Sequence, residues 1–429
     1  MNSTNIYVGL DIGTTKVCAV VAASDPVTRR TDILGTGMSE CEGLKRGVVT
    51  NINKTAEAIR KAVEKAEQQS GISIRRVVIG IAGDHISSFI TRGIVTISSP
   101  TREISGADVR RLLDDVRKVK IDGDRRILHV IPQDFIIDGQ DGITDPVGMS
   151  GIRLEANVLV ITGSLTAIEN MYRCAERAGL TVDSIVLQPL ASACAVLDEA
   201  EKELGVAIID IGGGTTDIAI FKNSIIRSTS IFGIAGQKVT DDIMAVLGIR
   251  QVEAERIKLE FGHALSDSIN RDEVFQVPGV GGRTPTEVTK SVLCQIIEPR
   301  MEEIFEFSLQ EIMKSGLAHQ LAAGIVITGG CSLVRGADQL AQRVFRFPVK
   351  IGIPTGFSVD GLAREVSNPM YSTAVGLILY AAQQAQEHEA ESVPVTKETQ
   401  QDEAVTAEPL VPEEKAGVVD RLKRWFENL

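Results

Sequence analysis

The sequence predicts an α/β protein with an internally repeated motif and a small inserted unit, followed by a segment that does not fold and a short amphipathic helix. Three observations carry this. Residues 1–382 alternate short apolar runs ending in Gly with helix-patterned segments. A strand–turn–strand motif near the start returns about 200 residues later. The composition then breaks after Ala382, and apolar residues at helical spacing reappear only over residues 417–429.

The 429 residues, 43% hydrophobic and 24% charged, are long enough for several domains and exclude wholesale disorder. With 57 acidic against 45 basic residues, the net charge of −12 argues against a nucleic-acid coat, which needs excess Lys and Arg to neutralise phosphates. Cys18, Cys41, Cys174, Cys194, Cys294 and Cys331 form no CxxC pair, so neither a zinc site nor a disulfide framework is readable, as in a reduced, cytosolic chain. Residues 1–10 carry no positive charge, and Asp11 interrupts the first apolar run, which reads against a signal peptide. The longest uncharged stretch, Asn368–Gln386, is too polar for a membrane span.

Asn53–Gln69 carries a helix signature, with Asn53 as cap, Ile59, Val63 and Ala66 at helical spacing, and Gly71 just beyond. Val77–Ala82, Val206–Ile211 and Gly324–Thr328 read as buried strands. Over residues 84–162, strand-like Ile86–Ser99, helix-like Asp108–Val119 and strand-like Ile127–Ile137 and Leu154–Ile161 form a compact strand–helix–strand–strand insertion. The mixed charges on its helix read as a solvated face. Residues 383–416 hold nine acids, two bases, three prolines and no aromatic residue, the composition of a disordered acidic linker. Beyond it, Val418, Val419, Leu422, Trp425, Phe426 and Leu429 form one stripe about 120° wide on a helix, flanked by Arg421 and Lys423. Such a helix lies on an anionic membrane surface, its basic stems snorkelling outward, or docks on its own domain.

The repeated motif carries the chemistry. Val8-Gly-Leu-Asp-Ile-Gly-Thr-Thr-Lys-Val17 returns as Ile208-Ile-Asp-Ile-Gly-Gly-Gly-Thr-Thr-Asp-Ile218. Each is a strand ending in an aspartate, then a turn of small residues. Gly13, Gly212, Gly213 and Gly214 let backbone amides approach a phosphate, and Thr14, Thr15, Thr215 and Thr216 add hydroxyl donors. Asp11 and Asp210, facing one cleft, suit Mg²⁺ carrying nucleotide phosphates, and Lys16 would neutralise a β- or γ-phosphate. One such turn is an ordinary hairpin; two at duplicated positions, each after an Asp, are not. A third element, Ile325-Val-Ile-Thr-Gly-Gly-Cys-Ser-Leu-Val-Arg335, is a strand followed by a Gly-Gly turn and a helix start. There Gly329, Gly330 and Ser332 would pack on adenosine and offer a helix N-terminus, or simply connect a strand to a helix.

Together the three elements resemble the nucleotide-binding set of the actin/Hsp70/sugar-kinase ATPase superfamily. Gln188-Pro-Leu-Ala-Ser-Ala-Cys-Ala195 and Tyr371-Ser-Thr-Ala-Val-Gly-Leu377 are similar to its hinge helices. Within that superfamily the chain resembles the bacterial cell-division family FtsA. The stretches that carry this are Leu128-His-Val-Ile-Pro-Gln133, Asp145-Pro-Val-Gly-Met-Ser-Gly151, Ile297-Glu-Pro-Arg300 and Ala323-Gly-Ile-Val-Ile-Thr-Gly-Gly330, together with the insertion and the tail.

The resemblance implies an actin-like two-domain fold. Subdomain 1A would be residues 1–83 with 163–196 and 356–382, and subdomain 1C residues 84–162. Subdomain 2A would be 197–230 with 300–355, and subdomain 2B 231–299. A linker, 383–416, and a membrane-targeting helix, 417–429, would follow. It further implies ATP and Mg²⁺ as cofactors, self-assembly into filaments, and a peripheral location on the cytoplasmic side of the inner membrane at the septum. The tail of the tubulin-like division protein FtsZ would dock on subdomain 2B, with Arg300 at its edge, and later division proteins on subdomain 1C. Arg300 also reads as a solvated charge or local ion pair. Ala254-Glu-Arg-Ile-Lys258 resembles the family's adenosine-contacting helix, while Glu255 and Lys258 also fit an ordinary i,i+3 pair. Gln188 stands where some relatives orient the attacking water, and Asp217 would assist at the metal or water or serve the turn. This implies at most slow ATP hydrolysis.

Two other classes are disfavoured. A sugar-kinase-type phosphotransferase has no use for the linker and tail, and a chaperone-type ATPase needs a substrate domain after residue 382. A related pilus-assembly actin-like protein shares the insertion, and the amphipathic tail favours FtsA over it.

Overall fold

The computed structural model describes residues 4–392 apart from Arg271, Val280, Gly282, Arg283 and Asp360. The remaining residues, including 393–416 and all of 417–429 with Val418, Val419, Arg421, Leu422, Lys423, Trp425, Phe426 and Leu429, lie outside the described part. The expectations placed on them are therefore not addressed by the fold.

Lobe I begins with an antiparallel meander of β1 (Asn5–Ile12), β2 (Lys16–Ser24) and β3 (Thr31–Glu40). A two-residue hairpin joins β4 (Leu44–Lys45) to β5 (Val48–Val49), and α1 (Ile52–Ser70) then leads to β6 (Arg76–Ile81). The insertion follows as β7 (Ser87–Thr96), α2 (Gly106–Val116), β8 (Arg125–Ile137), β9 (Gln140–Ile143) and β10 (Arg153–Ser164). Then α3 (Leu165–Arg177) and β11 (Thr181–Leu187) complete the lobe I sheet, in the order β11-β6-β1-β2-β3.

Lobe II repeats the plan. After α4 (Gln188–Val196) and α5 (Glu199–Leu204) comes a second antiparallel meander, β12 (Val206–Ile211), β13 (Thr216–Lys222) and β14 (Ile225–Phe232). Next come α6 (Gly236–Leu247), α7 (Gln251–Phe261), the hairpin β15 (Val274–Val277) and β16 (Thr286–Thr289), and the long α8 (Lys290–Lys314). The described residues end with β17 (Ile325–Thr328), α9 (Ala337–Phe345), β18 (Val349–Ile351), α10 (Ala363–Val366) and α11 (Ser372–Ser392). The lobe II sheet runs β14-β13-β12-β17-β18, so each lobe is a three-stranded meander extended by two parallel strands beside its first strand.

Burial explains why these strands read as continuous apolar runs. Along β2, Val17, Ala19 and Val21 enter the core under α1 and α3, while Cys18, Val20 and Ala22 enter a second core shared with β12, α4 and α11. Along β12, Ala207, Ile209 and Ile211 face α6, α8 and α9, and Val206 and Ile208 face the shared core. A sheet buried on both faces leaves no polar alternation. The pair α4 and α11 thus lies between the lobes, and glycines set its distance. A Cβ at Gly376 would lie 1.9 Å from the Ala191 carbonyl oxygen, and one at Gly9 would lie 2.1 Å from that of Ala374.

The inserted unit has its own core, Val95, Leu112, Val116 and Leu154 among its members, and the sheet order β7-β10-β8-β9. The short strand β9 was not foreseen; preceded by Gly139 and containing Gly142, both at positive φ, it carries little apolar signal. Three other details differ from the sequence reading. The cap of α1 is Asn51, whose side chain accepts from Lys54 N, rather than Asn53; Gly71 closes the helix at φ 69°. The boundary expected at residue 299 falls inside α8, which continues through Pro299. And α11 passes Ala382 to reach Ser392, so the start placed for the linker is helical. Residues 382–392 are mostly Ala, Gln and Glu, good helix formers, and extending an anchored helix carries no nucleation cost.

Candidate functional site

The two copies of the motif form the same turn. Gly13 N donates to Lys16 O at 2.9 Å in the first, and Gly212 N donates to Thr215 O at 3.0 Å in the second. The turns face each other across the lobes. A Cβ at Gly213 would lie 2.4 Å from Thr15 Oγ1, and one at Gly214 would lie 2.2 Å from Thr14 Oγ1, so only glycine permits this approach. The second turn also holds the start of α6, because Gly212 O and Gly213 O accept the N–H groups of Gly236 and Gln237. The four threonines divide. Thr14 and Thr15 lie at the meeting point of the turns, whereas Thr216 is buried and donates to Ile234 O, and Thr215 donates to Asp217.

Three carboxylates lie buried behind the turns: Asp11, Asp210 and Asp217. Burial raises Asp11 to about 6, against a lowering by Lys16 and with a further push from Asp210. Asp210 is raised by burial, opposed by Ser192, Lys16 and Thr373. Asp217 is held well above the carboxylate range by burial and by the charges of Asp210, Asp11 and Asp84. Asp217 Oδ1 is buried with no hydrogen-bond partner. Hard oxygen donors in mutual repulsion, one of them unsatisfied, fit a divalent cation. Among the described residues no group of three or more His, Cys, Asp or Glu side chains is arranged to hold a metal ion. A cation here would therefore rely on phosphate and water for most of its shell.

One helix serves both lobes. At the start of α4, Gln188 Nε2 donates to Asp11 Oδ1, and one turn on, Ser192 Oγ donates to Asp210 Oδ2. From α11, Thr373 Oγ1 also donates to Asp210 Oδ2, at 3.2 Å. Gln188 was singled out from the sequence; Ser192 and Thr373 were not. Their only signal is a small hydroxyl residue inside each apolar hinge stretch, four positions after Gln188 in the first case. Lys16 Nζ donates to Met370 O, at the approach to α11.

The third Gly-rich element closes the lobe II side. Gly329, at φ 85°, abuts the second aspartate: a Cβ there would lie 2.3 Å from Asp210 Oδ1. The turn that follows is a 3-10 turn, Gly330–Leu333, and the α-helix expected immediately after it begins only at Ala337. Ser332 is buried, its hydroxyl donating to Gly329 O at 2.7 Å, and so it braces the turn. Beside it, Lys258 is buried and donates to Thr240 Oγ1 at 2.9 Å and to Glu255 Oε2 at 2.7 Å. Glu255 and Lys258 are thus an i,i+3 pair that also lies beside this turn, since Lys258 reaches Gly236 O, and a Cβ at Gly236 would touch Cys331. Arg300 is an ion-paired residue: it grips Asp242 with two nitrogens, at 2.6 and 3.2 Å, and also reaches Glu303.

Family models described as "Cell division protein FtsA" and "SHS2 domain inserted in FTSA" match residues 207–376 and 83–162. The cell division protein FtsA of Pseudomonas aeruginosa is 43% identical over 428 residues, covering 100% of this chain and 99% of that protein. The chain belongs to the FtsA family of cell division proteins. FtsA of Bacillus subtilis is 40% identical over 90% of this chain and 85% of its own length, and FtsA of Escherichia coli K12 is 38% identical over 90% and 92%. Two solved structures share the actin-like fold at 16% identity. The PilM-PilN type IV pilus biogenesis complex has a TM-score of 0.63 over 88% of this chain and 98% of that one. MreB5 of Spiroplasma citri bound to ADP has a TM-score of 0.55 over 90% and 98%. The matched SHS2 segment is the β7–β10 unit, so the FtsA insertion coincides with the separate core described above. No described helix is long and apolar enough to cross a membrane.

Proposed function

We propose that this chain binds ATP with Mg²⁺ between the two turns, assembles with copies of itself, and tethers the FtsZ ring to the cytoplasmic face of the cell membrane at the division site. The observation that carries the reading is the pair of facing turns, Gly13–Lys16 and Gly212–Thr215, backed by three buried carboxylates that repel one another and have Lys16 as their neighbouring cation. Asp11 and Asp210 would hold the Mg²⁺, which supplies charge neutralisation for the phosphates. Thr14, Thr15 and the turn amides cradle the phosphates, with Lys16 released from Met370 to meet them. Glu255, Lys258, Gly329 and Gly330 border the adenosine. Gln188 and Asp217 position water, for a turnover that is slow at most.

The FtsZ tail docks on residues 231–299, where an acidic group reaching Arg300 competes with Asp242. Residues 84–162 receive later division proteins. Val418, Val419, Leu422, Trp425, Phe426 and Leu429 enter the membrane surface, with Arg421 and Lys423 meeting anionic headgroups. A single helix of this size binds reversibly; filaments bind through avidity, so nucleotide-dependent assembly governs membrane residence.

Flotation with liposomes containing anionic lipid tests this, comparing the full chain with one ending at Ala416, each with and without Mg-ATP. Flotation of the full chain alone, strengthened by Mg-ATP, is expected. Equal behaviour of the two chains overturns the membrane role of the terminal helix, and indifference to Mg-ATP overturns the coupling.

A further inference from the structure

The β4–β5 hairpin turns through Arg46 and Gly47 at φ 51° and 76°, the left-handed pair that a two-residue type I′ connection requires. Asn, Asp or Gly ordinarily occupies the first of these positions; an arginine there is a strained choice that calls for a reason. The hairpin is pinned to the first phosphate turn, because Gly47 N donates to Thr14 Oγ1 at 3.3 Å. The arginine stem crosses to the other lobe. A Cβ at Gly233 would lie 2.5 Å from Arg46 Cδ and 3.1 Å from Asp84 Oδ1, so the stem packs where only glycine leaves room. Gly233 in turn lies three residues before Gly236, which is bonded to the second phosphate turn.

The other cations of the cleft are committed. Lys16 donates to Met370 O, and Lys258 is tied to Glu255 and Thr240. Arg46 is exposed and makes no salt bridge or side-chain hydrogen bond among the described residues. An exposed guanidinium with no protein partner among the described residues, carried by a hairpin bonded to Thr14 and with its stem laid on Gly233 of lobe II, is placed for an anion arriving between the lobes.

We propose that Arg46 reads the terminal phosphate of the nucleotide, so that it determines the preference for triphosphate over diphosphate. This rests on the assignment of the cleft to Mg-ATP. In the diphosphate-bound protein the guanidinium keeps its place on Gly233 without a partner. In the triphosphate-bound protein it donates to γ-phosphate oxygens and links the β4–β5 hairpin, the first turn and the Gly233 segment of lobe II.

The test is calorimetric titration of the full chain and of Arg46→Asn and Arg46→Lys with Mg-AMPPNP and with Mg-ADP. Asn suits the turn and removes the cation together with the stem on Gly233, whereas Lys keeps an aliphatic stem and a positive charge. For Arg46→Asn, affinity for Mg-AMPPNP should fall about tenfold or more, while affinity for Mg-ADP stays within about twofold; Arg46→Lys should recover part of the loss. An unchanged ratio of the two affinities, or equal losses for both nucleotides, overturns the assignment and leaves Arg46 a structural turn residue. If the parent chain binds neither nucleotide, the cleft assignment itself falls, and this one with it.

Discussion

The side-chain amide of Gln188 donates to the Asp11 carboxylate at 3.0 Å, although 177 positions separate the two in sequence. One turn later on the same helix, Ser192 donates to Asp210 at 2.7 Å. A single helix, α4, therefore touches the acidic group of each lobe, and any shift of one lobe relative to the other changes these contacts.

Replacing Asp210 by Asn keeps the side-chain shape while removing a buried charge that burial disfavours. Mg-ATP affinity should fall at least about tenfold, because charge-assisted contacts are lost. The thermal midpoint should stay or rise, because the cost of desolvating the carboxylate disappears. Calorimetry with a parallel melt decides it, and unchanged affinity removes Asp210 from the metal site.

Asp11 predicts a pH effect in the ligand-free protein. Its folded pKa of about 6 exceeds its ordinary 3.8, so the folded state binds the proton more tightly, and this group's contribution to stability falls as pH rises from about 4 to 6. Between pH 5 and 7.5 the difference is on the order of 1 kcal/mol by linkage. Urea unfolding at the two pH values should show Asp11→Asn gaining less from acidification than the parent by that amount. Equal gains would show that Asp11 titrates normally.

His129 runs the other way. Leu187 N donates to its Nε2 at 3.0 Å, and burial lowers its pKa from 6.5 to about 4. The stability it contributes is full above pH 6.5 and is lost as pH falls toward 4, by roughly 3 kcal/mol. His129→Gln, which keeps an acceptor, should flatten that acid limb of the urea-unfolding profile. Because Leu187 immediately precedes Gln188, the same variant should also alter nucleotide affinity, linking the inserted unit to the cleft.

Gly376→Ala should lower stability by about 2 kcal/mol or more, since its Cβ would overlap the Ala191 carbonyl and force α11 off α4. A thermal melt of the variant within error of the parent would contradict the close crossing of these helices.

The first two strands of each meander, the repeated turns and the inserted unit were legible because each is written locally: apolar runs, Gly-rich turns and an Asp at a strand end. The cap of α1 at Asn51 and the persistence of α11 past Ala382 were not, because a cap needs backbone angles and a helix end depends on what anchors its beginning. By itself the sequence determined the α/β class, the duplication and the two aspartates, since these follow from the chemistry of neighbouring residues. Only the tertiary structure decided which groups meet. It turned Thr215 and Thr216 inward, gave Lys16 to Met370, set Ser192 and Thr373 on Asp210 and laid Arg46 across Gly233. Such partnerships join residues far apart in the chain, and their geometry comes from two sheets packed on one pair of helices. No local pattern encodes that distance.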